Sequence, residues 1–544
     1  MSGVIADRLH VASTLLRAGV IRPARPDRAL RALSGLRRWG PTLAAGYLGA
    51  AARYPDAVAI VDELGTLSFE EVNHRTDRLA NALAEQGIGE DDAVAILCRN
   101  HHWFVEATVA CSKLGAHSVY LNTAFAGPQV AEVLERERPV AVIHDQEFEA
   151  LLEATPTPRG RFVAFADEPA RATATLESLI AAGSDRPPAP PTTPGRTVIL
   201  TSGTTGTPKG ANRTSPDSLG PAASFLSTIP LRARETTMIA APLFHSWGFA
   251  HMLLGTALTS ALVLRRRFDP EGTLRALAGT GASALVVVPV MLQRILELGP
   301  EAIGRYDLPE LRVIAASGSA LPGPLAQRVL DAFGEKLYNL YGSTEVAWAT
   351  IATPEDLRSA PGTAGRPPRG TAVKILDEAW RELGEGESGH IFVGGELLFD
   401  GYTGGGDKVR HGSLMSTGDV GHFDAAGRLF VDGRDDDMIV SGGENVFPSE
   451  VEDLLAGLPG IREVAVIGVV DEEFGQRLQA FAVLDDGAVL SERELQEHVK
   501  LNLARYKVPR EVVFLDALPR NATGKVLRRE LVAQATDRQR VTED

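Results

Sequence analysis

The sequence predicts an α/β protein with a large N-terminal domain built on parallel-sheet subdomains and a small α+β C-terminal domain. Three observations carry that prediction. The chain has 544 residues, and single cores stop growing near ~250–300 residues, so at least two domains are required. Short apolar runs alternate with longer segments of helical period through most of the first 320 residues or so, the pattern of a parallel sheet with helices on both faces. After about residue 435 the character changes to a unit of about 110 residues in which helices and strands mix.

Taken in order, residues 1–50 form an unusual basic amphipathic extension. From Met1 to Arg38 there are eight Arg against two Asp, interleaved with Leu, Val and Ile, and Pro23 and Pro26 divide the stretch into two helical pieces. One reading is an extension that packs on the main domain; the other is a segment that touches an anionic membrane surface, the inner face of the membrane, through residues 1–38. The large domain is expected over 51–435. Ser68-Phe69-Glu70-Glu71 is a capping box that opens a helix closed by Gly87. Ala93 to Cys98 reads as a buried strand, Trp103 to Leu114 as a helix, and Val119–Asn122 and Val140–His144 as short strands. Five prolines within 183–195 mark an extended connector, after which strands at 198–200, Ala284–Val290 and Leu311–Ala316 resume the alternation. In the C-terminal domain, 436–544, Pro448–Leu458 and Ser491–Leu503 read as helices, the second opened by the capping box Ser491-Glu492-Arg493-Glu494. Val464–Val470, Ala480–Val483 and Val512–Leu515 read as strands.

Composition excludes several classes. With 44% apolar and 23% charged residues the chain is neither wholly disordered nor collagen-like. A formal charge of −15 argues against non-specific nucleic-acid binding as the main task. Two cysteines, Cys98 and Cys111, cannot build a disulfide framework and suit a reducing compartment. No run of ~20 apolar residues exists; the nearest, Gly248 to Leu264, is interrupted by His251 and three hydroxyl residues. The start lacks a basic region followed by an apolar core, so a cytoplasmic location is expected.

The strongest chemical signal is Thr201-Ser202-Gly203-Thr204-Thr205-Gly206-Thr207-Pro208-Lys209-Gly210, directly after the apolar run Val198-Ile199-Leu200. Three glycines let the backbone turn tightly with its N–H groups aimed inward, five hydroxyls add donors and Lys209 adds a charge, which together suit a polyphosphate. The loop is not a Walker A, because Lys209 is followed by Gly rather than Ser or Thr. No Gly-x-Ser-x-Gly pentapeptide occurs, which disfavours a serine hydrolase.

At these residues the sequence closely resembles the adenylate-forming superfamily of acyl-CoA synthetases, luciferases and peptide-synthetase adenylation domains. The remaining motifs follow in the family's order: Pro242-Leu243-Phe244-His245, Ala316-Ser317-Gly318-Ser319-Ala320-Leu321, Tyr341-Gly342-Ser343-Thr344-Glu345, Ser416-Thr417-Gly418-Asp419, Gly433-Arg434-Asp435-Asp436, Gly442-Gly443-Glu444-Asn445-Val446-Phe447-Pro448 and Pro519-Arg520-Asn521-Ala522-Thr523-Gly524-Lys525. The region 412–419 also looks like that of bacterial fatty-acyl-CoA ligases.

The resemblance implies ATP, Mg²⁺ and coenzyme A as co-reactants and two half-reactions: a carboxylate attacks the α-phosphate of ATP to give acyl-AMP, and a thiol then displaces AMP. It implies that Thr201, Ser202, Gly203, Thr204, Thr205, Gly206 and Lys209 hold the phosphates, that Glu345 takes the magnesium ion, and that Thr344 touches a phosphate. Gly318, Tyr341 and Gly342 would form the adenine slot, and Asp419 and Arg434 would hold the ribose. Lys525 would sit over the α-phosphate as a point charge. His245 would line the acyl site, and Gly442 and Gly443 the pantetheine channel. In that scheme the small C-terminal domain is mobile and rotates about a hinge at Asp436.

Amino-acid adenylation domains usually place an Asp where this chain has His245, so the resemblance disfavours an α-amino acid as substrate. The largely apolar segment after His245 and the basic extension favour a hydrophobic, fatty acid. The alternative is an aryl-acid or natural-product ligase of the same superfamily, including one that adenylates a nitrogen oxyanion instead of making a thioester.

Overall fold

The computed structural model describes residues 2–22, 25–152, 157–168, 174–201, 209–213, 218–403, 405–441, 444–471, 475–521 and 524–543. The chain folds as two compact units, one of residues 1–315 with 343–347 and 396–408, the other of 316–342, 348–395 and 409–544.

The first unit carries two sheets. One has seven strands in the order Gly401–Tyr402, Lys209–Arg213, Thr197–Thr201, His117–Tyr120, Ala93–Leu97, Ala141–His144, Arg161–Val163. Its middle pairings are parallel, as the strand–helix alternation predicts, whereas Lys209–Arg213 turns back antiparallel on Thr197–Thr201. In the other sheet Val58–Asp62, Ala261–Leu264, Thr236–Ile239 and Ala284–Val287 are parallel neighbours, and Gly65–Ser68 closes one edge antiparallel. Helix Phe69–Glu85 starts where the capping box predicts: Glu71 N–H donates to Ser68 Oγ (3.2 Å) and Ser68 N–H to Glu71 Oε2 (2.7 Å). Gly87 follows at φ +85°, a conformation that favours glycine.

The N-terminal extension is helical over Ser2–Arg17 and Pro26–Trp39, and a third helix, Leu43–Arg53, crosses residue 50. Pro23 lies outside the described residues; Pro26 opens the second helix, in whose first turn a missing N–H costs nothing. The extension packs on the first unit. Leu15 and Ala18 are buried, Ala233 N–H donates to Ala18 O, and Gly35 lets the second helix approach Leu48 of the third.

The two cysteines are buried thiols, and burial pushes Cys111 up to about 12 and Cys98 well above its ordinary value, which leaves both unreactive. Cys98, His101 and Asp145 lie within reach of one ion. Both nitrogens of His101 are nevertheless committed: Nε2 meets Asp145 Oδ1 at 2.8 Å, and Nδ1 accepts the Phe104 N–H, capping helix His102–Leu114. The cluster is structural.

In the second unit Ala372–Leu376, Gly389–Gly394, Leu414–Phe423 and Leu429–Arg434 form an antiparallel sheet. Its longest strand carries Ser416, Thr417, Asp419 and His422 and alternates imperfectly between buried and half-buried positions, so it lacks the apolar run that marks the parallel strands. The C-terminal sheet pairs Ile461–Asp471 with Gly475–Leu484 antiparallel and adds Glu511–Phe514 in parallel. The period of two sorts its side chains: Val466, Leu478 and Ala480 pack with Val451, Leu455, Leu495 and Val499 of helices Pro448–Ala456 and Glu492–Asn502. Ala465, Ile467 and Phe481 pack with Leu531 and Ala535 of helix Arg528–Glu543.

Candidate active site

In the first unit, Thr201 and Lys209 are register partners at the mouth of the hairpin whose loop is the hydroxyl- and glycine-rich segment. Ser202, Gly203, Thr204, Thr205 and Gly206 lie outside the described residues. Lys209 places its ammonium 5.1 Å from the centroid of the Tyr402 ring. The Tyr402 hydroxyl in turn donates to Glu345 Oε1 at 2.8 Å. Glu345 is 8% exposed, and its segment is fixed by three further bonds: Glu345 N–H and Val346 N–H donate to Ser343 Oγ, and Phe399 N–H donates to Glu345 O. Lys209, Tyr402 and Glu345 thus form one chain of contacts, with Thr344 inside the pinned segment. A carboxylate flanked by hydroxyl residues is a hard-oxygen donor set that fits Mg²⁺.

Tyr402 has no role in the sequence reading, although it is the residue that joins two of the expected site residues. The only signal available is an aromatic hydroxyl in the Gly401-Tyr402 pair, and its partner is 57 residues away.

His245 stands at the N-cap of helix Ser246–Leu258 without capping it. The preceding turn is held by Asn100, whose side chain accepts from Leu243 N–H and donates to Ala241 O. Gly248 is required there, since a Cβ would lie 2.3 Å from Pro242 O. Burial lowers the His245 pKa to about 4, so the ring is neutral at pH 7. Its Nε2 is buried with no hydrogen-bond partner among the described residues. His251, two turns along, repeats this: Nδ1 bonds Trp247 O, Nε2 has no partner among the described residues, the ring lies between Phe225 and Trp247, and burial again lowers the pKa to about 4.

Both histidines ionise more easily unfolded, near pH ~6.5, than folded. The stability this contributes is full above that value and is lost as pH falls toward about 4. Each is expected to cost about 2 kcal/mol at pH 5 relative to pH 7. Urea midpoints at the two pH values measure it, and His251→Leu should reduce the difference between them; an unchanged difference contradicts the assignment.

In the second unit, the Tyr341 hydroxyl donates to Asp419 Oδ2 at 2.5 Å, and burial, with the Asp419 charge second, holds the phenol well above its ordinary pKa. Asp419 is the register partner of Arg434 on the neighbouring strand. The Thr417 hydroxyl accepts Asp419 N–H and donates to Ile391 O, so the turn at Gly418 (φ +82°) presents a fixed carboxylate. Tyr341, Asp419 and Arg434 are therefore brought together although 78 residues separate the first two. Gly342 directly follows strand Leu337–Tyr341, and Gly318 has φ +96°, a backbone that a side chain would strain.

Asp436 is the middle residue of a single 3₁₀ turn, Asp435–Asp437, directly after Arg434. Gly442 and Gly443 lie outside the described residues. Lys525 follows a tight turn in which Asn521 N–H donates to Lys525 O and Lys525 N–H to Asn521 Oδ1, each at 2.9 Å, with Gly524 at φ +79°. Arg520 anchors this turn to Glu463 of the C-terminal sheet at 2.9 Å.

A glycine- and hydroxyl-rich hairpin, a buttressed carboxylate and a tyrosine–aspartate–arginine group on α/β units with a small C-terminal domain define the class of adenylate-forming enzymes. The AMP-binding enzyme family matches residues 49–403, and its C-terminal domain matches residues 450–525. The chain belongs to the AMP-binding enzyme family and is an AMP-forming ligase, of a class that works with ATP, Mg²⁺ and coenzyme A.

It is 33% identical over 486 residues to the indoleacetate–CoA ligase of Aromatoleum aromaticum, covering 86% of this chain and 94% of that one. It is 31% identical over 481 residues to a long-chain-fatty-acid–CoA ligase of Mycobacterium tuberculosis, covering 86% and 93%. Among solved structures, o-succinylbenzoate CoA synthetase from Bacillus subtilis in complex with its acyl-adenylate intermediate superimposes with a TM-score of 0.77 at 28% identity, covering 89% of this chain and 97% of that one.

Proposed function

We propose that the chain activates a hydrophobic carboxylic acid, a fatty acid in the first instance, as acyl-AMP and transfers the acyl group to coenzyme A. The observation that carries this reading is the helix Ser246–Leu258 after His245. It contains no acidic residue, it buries Trp247, Phe249 and Met252, and its N-cap histidine is held neutral, so it offers an ammonium group nothing to pair with. In the first step a carboxylate oxygen bonds to the α-phosphorus and pyrophosphate leaves; in the second the thiol attacks the acyl carbon and AMP leaves. Such chemistry needs placement and charge more than a protein nucleophile.

The residue roles are proposed as follows. Thr201, Ser202, Gly203, Thr204, Thr205, Gly206 and Lys209 hold the β- and γ-phosphates, with Thr344 beside them. Glu345 holds the magnesium ion, which neutralises phosphate charge. Gly318, Tyr341 and Gly342 hold the adenine, and Asp419 accepts the ribose hydroxyls beside Arg434. Lys525 stabilises charge at the α-phosphate, His245 lines the acyl site, and Gly442 and Gly443 line the thiol path. The large domain is 51–435, and 436–544 moves about Asp436. Tyr402 is added to this set as a positioning residue: Tyr402→Phe is expected to raise the magnesium concentration for half-maximal pyrophosphate release about tenfold. An unchanged magnesium dependence would remove it from the set.

A second reading, an aryl acid, is favoured by His251. A buried, unpartnered imidazole acceptor between Phe225 and Trp247 costs about 1–3 kcal/mol unless met by a donor, and a phenol or indole N–H supplies one. A pyrophosphate-release screen over fatty, aryl and amino acids, with and without coenzyme A, tests both. Preference for fatty acids with coenzyme A stimulation supports the first reading. Preference for hydroxyl- or indole-bearing acids, lost in His251→Leu, supports the second. Turnover with amino acids, or turnover indifferent to coenzyme A, overturns the first.

A further inference from the structure

Two exposed apolar stripes lie on the N-terminal helices. On helix Ser2–Arg17, Leu9, Ala12 and Leu16 recur at the spacing of one helical face, opposite the buried Thr14, Leu15 and Ala18. On helix Pro26–Trp39, Leu30 and Leu33 share a face with Arg37, opposite the buried Gly35 and Trp39, and Leu36 flanks it. The five leucines Leu9, Leu16, Leu30, Leu33 and Leu36 are 51–67% exposed. Each helix is thus fully committed on its inner side, so the outer leucines are not needed to hold it in place.

The charge beside these stripes says what covers them. Residues 1–38 carry eight Arg against two Asp, in a chain whose formal charge is −15. Arg8, Arg17, Arg22, Arg31, Arg37 and Arg38 are exposed. A second copy of the chain would set arginine against arginine across a two-fold interface, which like-charge repulsion disfavours. Among the described residues no helix is long and apolar enough to cross a membrane. Leucines that enter the acyl boundary with arginines at headgroup level are the pattern of a helix lying in the plane of an anionic bilayer.

We propose that the outer faces of the two N-terminal helices form a docking surface for an anionic lipid bilayer, on which the enzyme rests without spanning it. The proposal is independent of which acid the enzyme activates.

The test is flotation of the full-length protein with vesicles of phosphatidylcholine alone and of phosphatidylcholine mixed with phosphatidylglycerol. Binding to the mixed vesicles should be at least about tenfold tighter and should weaken as salt rises from about 0.05 to about 0.5 M. The double substitutions Leu30→Glu/Leu33→Glu and Leu9→Glu/Leu16→Glu should each reduce it about tenfold or more. Arg37→Glu/Arg38→Glu should abolish the preference for the anionic lipid. Because these positions are exposed, the urea midpoint and pyrophosphate release in solution should stay as in the unsubstituted chain. Binding that is absent, indifferent to phosphatidylglycerol or unaltered by the substitutions overturns the proposal. So does a dimer in sedimentation velocity that dissociates in the leucine variants, which would assign the stripes to a second copy.

Discussion

Lys525→Ala is expected to lower acid-dependent pyrophosphate release by about 10²–10³, while the same preparation makes thioester from supplied acyl-AMP near the unsubstituted rate. A preorganised charge at a developing anion contributes roughly 3–4 kcal/mol, and Lys525 is proposed to act only when the α-phosphate is attacked. The Lys525 main chain is held at both ends, its N–H donating to Asn521 Oδ1 and its carbonyl accepting from Asn521 N–H, and the turn is anchored by Arg520 to Glu463. Equal damage to both half-reactions would remove Lys525 from the first step.

Asp436→Pro is expected to keep much of the pyrophosphate release and to lose thioester formation by roughly tenfold or more. A hinge must let φ and ψ change widely at a few residues, and proline fixes φ near about −65°. Asp436 sits in the middle of a one-turn 3₁₀ segment between strand Leu429–Arg434 and Met438, and that backbone also takes φ of roughly −50 to −70°. Proline at this position would therefore resist a large departure of φ from that range. Pyrophosphate and acyl-CoA measured in parallel give the answer; acyl-CoA at the unsubstituted rate would place the hinge elsewhere or dispense with it.

Local signals in the sequence were reliable where one short segment decides the outcome. The capping boxes at Ser68 and Ser491 start helices Phe69–Glu85 and Glu492–Asn502, because the reciprocal bonds span only three residues. The apolar runs at Ala93–Leu97 and Ala284–Val287 are strands within a few residues of the expected bounds. What the sequence could not show is which strands share a sheet. Val58–Asp62 pairs with Ala261–Leu264 about 200 residues later, a choice fixed by packing and not by local pattern.

The site divides in the same way. Glu345, Asp419 and Lys209 are recognisable from motif chemistry. The pairings that support them are not: Tyr402 reaches Glu345 across 57 residues, and Tyr341, itself part of a motif, reaches Asp419 across 78. Likewise the segment 1–38 announces its charge in the sequence, but only the fold separates leucines that pack, such as Leu15, from leucines that face out, such as Leu9 and Leu16.

The central claim is that a carboxylate is joined to AMP before it meets the thiol. The most direct measurement is oxygen transfer. With an accepted acid carrying ¹⁸O in both carboxyl oxygens, attack on the α-phosphorus and later cleavage between acyl carbon and bridging oxygen must leave one ¹⁸O in AMP and one in the thioester. Mass spectrometry of the products is expected to find AMP heavier by one label and pyrophosphate unlabelled. Unlabelled AMP, with the ¹⁸O in orthophosphate or pyrophosphate, would contradict an acyl-adenylate and with it the proposed function.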